Sequence, residues 1–484
     1  MTTTSQNEPS LGQPPVRGTT ASWVPLAVLL CGPFVYVLDF FVINVALPDI
    51  QRGLHASAAA IEWVIAGYAL TSACLLVTGG RLGDHYGRRR MFSLGIAAFA
   101  VTSALCALAP DAGFLIAARL AQGAAAALFA PNVLSIIGVT YAGRARVRAI
   151  TAYGVVMGLA AAGGQLIGGL LIGANVAGLG WRAIFWVNVP VGLAAVVAAR
   201  RLVPESRGAG RGRLDLVGVA LLTVALVAIV APLSIGRQEG WPAWSFVSLA
   251  AGPVLLWGFG WWLAAVKRRG GQPLLDPAIF AVRALRAGLT VQVLFWCQQA
   301  ASYLVIALYL QLGRGLSPIA SGLAFSALAA GYLITSLPAP ALTMRFGRWV
   351  IITGALVGGL GDCLLALAAW HWGTGGPVAV ILPGLAVLGA GQGLCITPLT
   401  TTVLSHADPQ TAGSVSGALS TAQQVGNAVG VAVTGVVFYG LAARGQAVAF
   451  GWSMAQMGVL LLCVAALSFI IPGSRMGARR SKEG

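Results

Sequence analysis

Three charged side chains stand inside long apolar stretches of the chain: Asp39, Arg119 and Asp362. A charge near the centre of a membrane-spanning helix costs at least ~2.5 to 3.5 kcal/mol, and such residues usually serve protons, ions or substrates. A carboxyl group in an apolar cavity resists ionisation, whereas a nearby guanidinium favours it. These residue types therefore predict a buried site that can exchange a proton.

Asp39 and Arg119 are expected at nearly the same depth in the membrane. Asp39 lies about 15 residues into the first apolar run, which is ~22 Å along a helix. Arg119 lies about six residues, or ~9 Å, from the outer end of the fourth run, in a hydrocarbon core ~30 Å thick. Both residues are therefore placed in the outer half of the bilayer.

The composition is that of a membrane protein. Of 484 residues, 58% are hydrophobic and 9% are charged, whereas about a quarter of the residues of a soluble domain are charged. Apolar runs of about 18 residues or more, bounded by charge or by proline and glycine, identify spans. They predict an all-α protein with fourteen transmembrane helices, near residues 24–47, 61–80, 91–109, 113–139, 150–174, 183–203, 214–235, 244–266, 287–312, 319–341, 349–370, 376–403, 412–440 and 448–472.

The basic residues predict the orientation of these helices. With the N-terminus in the cytoplasm, the inside segments hold 24 of the 30 Lys and Arg residues and the outside segments hold five. This bias places both termini in the cytoplasm. The sequence then divides into a cytoplasmic tail, a six-helix half, an inserted hairpin with its flanking loops, a second six-helix half and a basic cytoplasmic tail, at 1–21, 22–203, 204–286, 287–472 and 473–484.

Other kinds of chemistry are not indicated. The net charge of +17 follows from the topology, and no basic patch with interleaved aromatic residues suggests nucleic acid. All seven cysteines stand in apolar stretches without ligand spacing, so neither disulfides nor a metal are expected. The sequence has no Walker-type loop and no Ser-His-Asp arrangement. We therefore expect no enzyme activity and no cofactor, with the proton gradient as the source of energy.

A short segment rich in glycine and charge joins the second and third spans. It reads Gly80-Arg81-Leu82-Gly83-Asp84-His85-Tyr86-Gly87-Arg88-Arg89-Arg90. Glycines let the backbone approach neighbouring helices, the acid can accept hydrogen bonds from a helix N-terminus or an arginine, and the arginines anchor to anionic lipid headgroups. Positive-inside charge alone explains the arginines but not the glycine and aspartate spacing. We interpret this segment as a conformational latch formed by Gly80, Gly83, Asp84, Gly87, Arg88 and Arg89.

This segment resembles the signature loop of the major facilitator superfamily. Leu38-Asp39-Phe40-Phe41-Val42-Ile43-Asn44-Val45-Ala46-Leu47-Pro48 resembles the first-span motif of the drug:proton antiporters in that family, and Arg119-Leu120-Ala121-Gln122-Gly123 resembles their fourth-span motif. The segments 181–192, 273–276 and 422–426 resemble motifs of the fourteen-span branch typified by EmrB and QacA. Because these matches follow in the same order over about residues 36–430, the resemblance covers nearly the whole chain.

The resemblance implies two halves that rock about a midplane site. In that fold spans 1 and 4 line one cavity, so Asp39 and Arg119 are expected to form a charge pair or a proton relay, with a static structural ion pair as the alternative. Asp362 belongs to a span that is peripheral in this fold, and its role can be either to carry a proton or to contribute to local packing. Amides and aromatic rings suit a lipophilic substrate, although they can also bond helix to helix. The cavity residues so assigned are Tyr36, Asn44, Gln122, Gln165, Phe295, Trp296, Gln299, Gln392 and Gln424.

The sequence departs from the family pattern at three places. His85 replaces the usual basic residue of the signature loop, and the glycine-rich part of the fifth span, 163–169, lacks the usual proline. The corresponding loop of the second half, 344–348, lacks the acid. We therefore expect no proline kink in the fifth span and only charge anchoring in the second loop.

These features predict a secondary transporter in the inner (plasma) membrane. It is expected to export a lipophilic drug or antibiotic in exchange for protons, and to work as a monomer among membrane lipids. A proton-independent exporter of lipids or metabolites is the alternative with the same fold. A polytopic membrane enzyme or sensor is a third interpretation, which the lack of clustered catalytic His, Asp or Glu disfavours.

The hairpin at 214–266 is predicted to lie outside the transport cavity, because six spans on either side already complete the two halves. A photoreactive group placed in the hairpin should therefore not cross-link to a bound substrate, whereas one placed beside Gln299 should do so. Cross-linking from the hairpin would contradict this placement.

Overall fold

The chain is built from helices of very different lengths. A computed structural model describes residues 23–207, 215–236, 239–404 and 412–471, and within these ranges the chain forms helices and turns but no strand. The predicted tails at 1–21 and 473–484 lie outside the described residues. The α-helices of the described ranges are α1 (Val24–Gly53), α2 (Ala58–Tyr86), α3 (Arg88–Ala107), α4 (Ala112–Thr140), α5 (Gly143–Ala174), α6 (Ala183–Trp186), α7 (Asn188–Leu202), α8 (Leu216–Ile235), α9 (Ala243–Arg268), α10 (Ala278–Ala281), α11 (Arg283–Leu308), α12 (Pro318–Ser336), α13 (Ala339–Phe346), α14 (Trp349–Trp372), α15 (Leu382–Leu404), α16 (Ala412–Leu441) and α17 (Gln446–Ser468).

The expected all-α membrane fold is confirmed. Within the described ranges, 13 helical segments are long and apolar enough to cross a membrane, and the bent α5 brings the number to 14. α5 bends by 45° between Ala161 and Gly163. The bend contains no proline, and it coincides with the glycine pair that begins at Gly163, which is one of the recognised causes of a sharp kink.

Several predicted boundaries differ from the structure by a few residues, and at two places the difference changes the local architecture. The segment 80–90 is not an extended turn, because α2 continues to Tyr86 and α3 begins at Arg88, leaving Gly87 alone between them. Gly87 has φ of +113°, a conformation that glycine adopts without steric cost. The predicted span 319–341 is interrupted after Ser336, where Pro338 precedes the short helix α13, since proline cannot donate the backbone hydrogen bond that would continue α12.

Polar residues define where several spans begin. Ser57, Asp111, Asp215 and Ser317 precede α2, α4, α8 and α12, and the side chain of each accepts a hydrogen bond from the backbone N–H three residues further on. These caps satisfy donors that a helix leaves free at its first turn. The ends of four spans are therefore fixed by single residues of the sequence.

Glycines set the distance between the spanning helices. A Cβ atom at Gly79 would stand 1.9 Å from the Ala127 carbonyl oxygen, so α2 lies against α4 backbone to backbone. A Cβ at Gly389 would stand 2.0 Å from the Leu328 carbonyl oxygen, which joins α15 to α12 in the same way. Small residues allow this close approach in membranes, where dispersion contacts and polar contacts drive helix association.

A few helices carry the contacts between the first six spans and the last six. α2 packs against α16, and α5 packs against α12. Gln311, in a π-helical turn that follows α11, donates from Nε2 to the Val45 carbonyl of α1 at 2.9 Å. The hairpin of α8 and α9 lies beside α2 and α16, and α9 exposes large side chains such as Trp257, which is 76% exposed. The division into two halves and an inserted hairpin remains a prediction.

The segment after α9 is tied to the end of α2. Arg81 donates to the carbonyls of Gln272, at 3.0 Å, and of Pro273. Lys267 donates to Asp276 at 2.5 Å. Partial burial raises the pKa of the Asp276 carboxyl, but the hydrogen bonds from Lys267 and the Ala278 backbone and the charge of Lys267 outweigh it, so the pKa lies below its ordinary value. The segment after the hairpin is thus anchored by charged residues at the end that is predicted to face the cytoplasm.

The packing of α14 on α15 predicts a stability difference between two glycines. In Gly391→Ala the new Cβ would stand 2.3 Å from the Gly358 backbone nitrogen, which cannot move without shifting α14. Overpacking of this kind costs ~1–3 kcal/mol, so the midpoint of thermal unfolding should fall. Gly258→Ala in α9 is the matched control, since its Cβ meets no atom within 4 Å, and its midpoint should stay the same or rise. Equal midpoints for the two variants would refute the packing argument.

Candidate functional site

A buried ion pair joins α1 to α4. Arg119 Nη1 donates to Asp39 Oδ2, and neither side chain is exposed to solvent. Arg119 Nη1 also donates to Gln122 Oε1 at 2.8 Å, and its Nε donates to the Val64 carbonyl of α2 at 3.0 Å. The structure therefore brings the two charges together as expected from their depths, while their role in transport remains a prediction.

The second carboxylate oxygen of Asp39 is bound by two amides. Gln122 Nε2 donates to Asp39 Oδ1 at 3.1 Å, and Asn188 Nδ2 donates to the same oxygen at 2.8 Å. Asn188 Nδ2 also donates to Ser103 Oγ at 3.1 Å, and Ser103 Oγ donates to the Phe185 carbonyl at 2.9 Å. One carboxylate therefore connects four helices, α1, α3, α4 and α7.

An aromatic ring lies against the guanidinium of Arg119. The Cζ atom of Arg119 is 4.3 Å from the ring centroid of Tyr68, within the range of a cation–π interaction. Tyr68 Oη donates to the Tyr36 carbonyl at 3.2 Å, so the predicted cavity residue Tyr36 takes part through its backbone. Among the described residues, Arg119 Nη2 has no hydrogen-bond acceptor. The guanidinium thus retains one donor group for a further acceptor.

Sequence reasoning missed Asn188 as a partner of Asp39 and Ser103 as a partner of Asn188. Asn188 stands in the segment that resembles a family motif, but no function was assigned to it. Both are buried polar residues, and a buried amide in an apolar run generally has a specific acceptor. That signal marks Asn188 as important without naming its partner, which lies 149 residues away in the sequence.

A second polar cluster lies in the last six spans. Tyr303 Oη and Gln299 Nε2 both donate to Gln392 Oε1, at 2.9 and 3.4 Å. The ring of Tyr303 lies 4.8 Å, between centroids, from the ring of Phe41 in α1. Two of the predicted cavity residues therefore bond to each other, and an aromatic contact connects their cluster to α1.

Asp362 lies close to this cluster but binds a different amide. Gln298 Nε2 donates to Asp362 Oδ2 at 3.1 Å and to Ser302 Oγ at 2.9 Å. Asp362 is fully buried. It is separate from the Asp39 cluster, so the structure does not combine the three predicted proton-coupling residues into one site.

The remaining predicted cavity residues are buried as well. Asn44 Nδ2 and Gln165 Nε2 both donate to the Phe41 carbonyl, at 3.1 and 3.0 Å. Asn427 Nδ2 donates to Gln424 Oε1 at 2.8 Å. Of these bonds, only the one from Gln165 joins two helices, α5 and α1, which is the helix-to-helix role left open for these residues. The bonds of Asn44 and Asn427 lie within their own helices. The rings of Phe295 and Trp296 are also buried, 5.8 Å apart and perpendicular.

The glycines of the predicted latch face α4. A Cβ atom at Gly83 would stand 1.7 Å from Asn132 Oδ1, and one at Gly80 would stand 3.5 Å from Pro131 Cβ. Only glycine therefore fits at position 83 without displacing the Asn132 side chain. The expected close approach between the latch and a neighbouring helix is present at this position.

The charged residues of the predicted latch form ion pairs and hydrogen bonds with each other, with α4 and with the segment after α7. Asp84 pairs with Arg88 at 2.8 Å, and Arg88 Nη1 lies 3.5 Å from the Ser135 carbonyl of α4. Glu205, which follows α7, accepts a hydrogen bond from the Arg89 backbone N–H at 3.0 Å and lies 3.6 Å from Arg89 Nε. Sequence reasoning missed Glu205, although an acid just beyond a span opposite an arginine run was a usable signal.

Similarity to known proteins supports a transport function. A family model described as "Major Facilitator Superfamily" matches residues 29–431. A probable actinorhodin transporter from Streptomyces coelicolor is 38% identical over 87% of this chain and 73% of its own length. The puromycin resistance protein pur8 from Streptomyces alboniger is 36% identical over 94% of this chain and 92% of its own length. The tetracenomycin C resistance and export protein from Streptomyces glaucescens is 33% identical over 90% of this chain and 80% of its own length.

Solved structures show the same fold at low sequence identity. The crystal structure of a D-xylose-proton symporter matches with a TM-score of 0.67 and 15% identity, over 94% of this chain and 98% of the other. A structure described under proton-dependent oligopeptide transporters matches with a TM-score of 0.66 and 16% identity, over 93% and 98%. These two similarities are evidence for the fold alone.

Gly87, between α2 and α3, and Gly445, before α17, have similar backbone conformations, but we predict different effects when each is replaced by alanine. Gly87 has φ of +113° and Gly445 has φ of +118°, so alanine at either position strains the backbone by ~1–2 kcal/mol. Only Gly87→Ala also places its Cβ 2.8 Å from the Glu205 carboxylate, whereas nothing lies within 4 Å at Gly445. We expect Gly87→Ala to reduce the drug resistance conferred on a sensitive host several-fold more than Gly445→Ala at equal expression. Equal resistance of the two variants would rule out a role for the Glu205 contact.

Proposed function

Because this chain belongs to the major facilitator superfamily, we propose that it exports a lipophilic, antibiotic-like molecule in exchange for protons. The protein is a multi-pass membrane transporter of the efflux type and not an enzyme. The proposal adds the chemical class of the substrate, the inward flow of protons and alternating access between the two sides of the membrane. The relatives named for antibiotic export or resistance support the chemical class of the substrate.

The proton part of the proposal rests on the hydrogen bonds that the Asp39 carboxylate accepts. Its carboxylate accepts hydrogen bonds from Arg119, Gln122 and Asn188 while buried among the spans. The carboxylate therefore meets one guanidinium and two amides. In the proposed exchange, a proton that reaches Asp39 changes the charge balance of this cluster.

Protonation of Asp39 would leave Arg119 without a counter-charge. A buried charge that loses its partner costs ~3–5 kcal/mol. The other acceptors of Arg119 are Gln122 Oε1 and the Val64 carbonyl, and both are neutral. Proton uptake therefore favours any rearrangement of α1 and α4 that gives the guanidinium water or another acceptor. That dependence is what coupling of proton flow to conformational change requires.

The proposed substrate site lies where the cluster around Gln392 meets α1. Tyr303 and Phe41 provide aromatic surface, and Gln299 and Gln392 provide amide groups that can donate and accept. A few polar groups in an apolar setting are typical of sites for lipophilic ligands. Opening of this region would exchange the bonds among the side chains for bonds to substrate.

The proposal is tested by removing the two charges separately. Asp39→Asn keeps the shape of the side chain but cannot take up a proton, and we expect it to abolish proton-coupled export, with Arg119→Ala damaging it comparably. Asp49→Asn is the matched control, because Asp49 lies at the end of the same helix in an exposed pair with Arg52, and it should transport normally.

Two measurements are needed for this test. A panel of drugs, including puromycin and tetracenomycin C, identifies a substrate by the resistance that the wild-type protein confers on a sensitive host. The pH inside proteoliposomes is then followed when that substrate is added. Absence of substrate-dependent proton flux in the wild type would end the antiport proposal. Export by Asp39→Asn at the normal rate and with normal pH dependence would remove Asp39 from the proton pathway.

A further inference from the structure

The last six spans contain a buried acid, Asp362, that forms no ion pair with any of the described residues. We propose that Asp362, held by Gln298, is a second proton-binding site and carries a proton in the conformation seen here. A role for Asp362 in the transport cycle rests on the proposed proton exchange. The protonated state of Asp362 does not depend on that exchange and can be tested separately. The argument comes from the contacts of the carboxyl group and from a comparison with Asp39.

The contacts of Asp362 are few and neutral. Gln298 Nε2 donates to Asp362 Oδ2 at 3.1 Å, and Oδ1 has no hydrogen-bond partner in the described part of the chain. No Lys, Arg or His of the described ranges forms an ion pair with Asp362. Asp39, by contrast, has Arg119 and two amides.

The helices around Asp362 offer little that could stabilise a charge. α15 approaches with Gly384 and Leu388, which lie against the backbone at Gly361, and α17 approaches with Gly458. On α11, Gln298 and Ser302 are neutral. The titratable side chains next to these residues are the thiols of Cys297 and Cys363 and, further along α11, the phenol of Tyr303, which donates to Gln392. Among the described residues, the groups around this carboxyl are therefore amides, hydroxyls, thiols and apolar side chains, without a cation in an ion pair.

An ionised carboxylate in such a place is costly. Burial of an unpaired charge is so unfavourable that a buried acid usually binds a proton instead. A neutral carboxylic acid fits the observed contacts, with Oδ2 as the carbonyl oxygen that accepts from Gln298 and Oδ1 as the hydroxyl oxygen. Asp362 is therefore assigned as neutral.

The two acid sites occupy corresponding places. Halves of this fold are related as parallel repeats, so that α1 and α3 correspond to α11 and α14. Asp39 stands fifteen residues after the first residue of α1, and Gln298 stands fifteen after the first residue of α11. Ser103 stands fifteen residues into α3, and Asp362 stands thirteen into α14. The acid of the first site is on the first helix, and the acid of the second site is on the third.

Infrared difference spectroscopy of the full-length protein tests the assignment without a substrate. A protonated carboxylic acid has a C=O stretching band that an ionised carboxylate lacks. We expect the wild type to show this band at neutral pH, to shift it on transfer to D2O and to lose it at alkaline pH. Asp362→Asn should lack the band, while the matched buried-acid variant Asp39→Asn should retain it. Gln298→Leu should retain the band at higher frequency, because the C=O group has lost its donor.

Other outcomes would overturn the proposal. If the wild type shows no such band, or if Asp362→Asn leaves it unchanged, Asp362 is ionised. If the band neither shifts in D2O nor disappears at alkaline pH, Asp362 is a fixed structural donor and binds no exchangeable proton. Gln298→Leu covers the case in which Asp362→Asn fails to fold. Failure of proton antiport appears instead as missing proton flux in wild-type proteoliposomes, so the two failures are distinguishable.

Discussion

The requirement that a buried charge must have a partner determines the arrangement of the first six spans. Arg119 and Asp39 form a fully buried ion pair, and further hydrogen bonds to the pair come from Gln122, Asn188 and the Val64 carbonyl. These partners come from α1, α2, α4 and α7. The helices are thus held at fixed depth and rotation by one charge pair, because any displacement would leave a charge unsatisfied.

Glycine packing complements this polar constraint. Within each group of six spans, helices approach backbone to backbone, as α2 and α4 do at Gly79 and as α14 and α15 do at Gly391. Such contacts cannot slide far without steric overlap. Between the groups, α5 and α12 also meet backbone to backbone, at Gly169, and Gln311 bonds to the Val45 carbonyl. Movement of one group against the other therefore has to break contacts of both kinds.

The sequence was sufficient for the helical spans and for the meeting of Asp39 with Arg119, because both follow from local hydropathy and helix rise. It was not sufficient for Asn188, Ser103 or Glu205, since their partners lie on other helices and depend on helix rotation. The sequence indicates that Gly87 belongs to a turn. That Gly87 alone separates α2 from α3 depends on its φ of +113°, which residue types do not reveal. Polar residues in apolar runs were therefore identified as important before their partners could be named.

The same ion pair restricts which substrates the proposed exchange can serve. A cationic molecule that binds Asp39 has to displace a guanidinium that also donates to Gln122 and Val64 and lies on the ring of Tyr68. A neutral lipophilic molecule that binds near Gln392 leaves those contacts intact. Its binding need only compete with hydrogen bonds among neutral side chains, which are individually weak. For the proposed exchange, separation of the charged cluster from the amide cluster therefore favours neutral substrates over cationic ones.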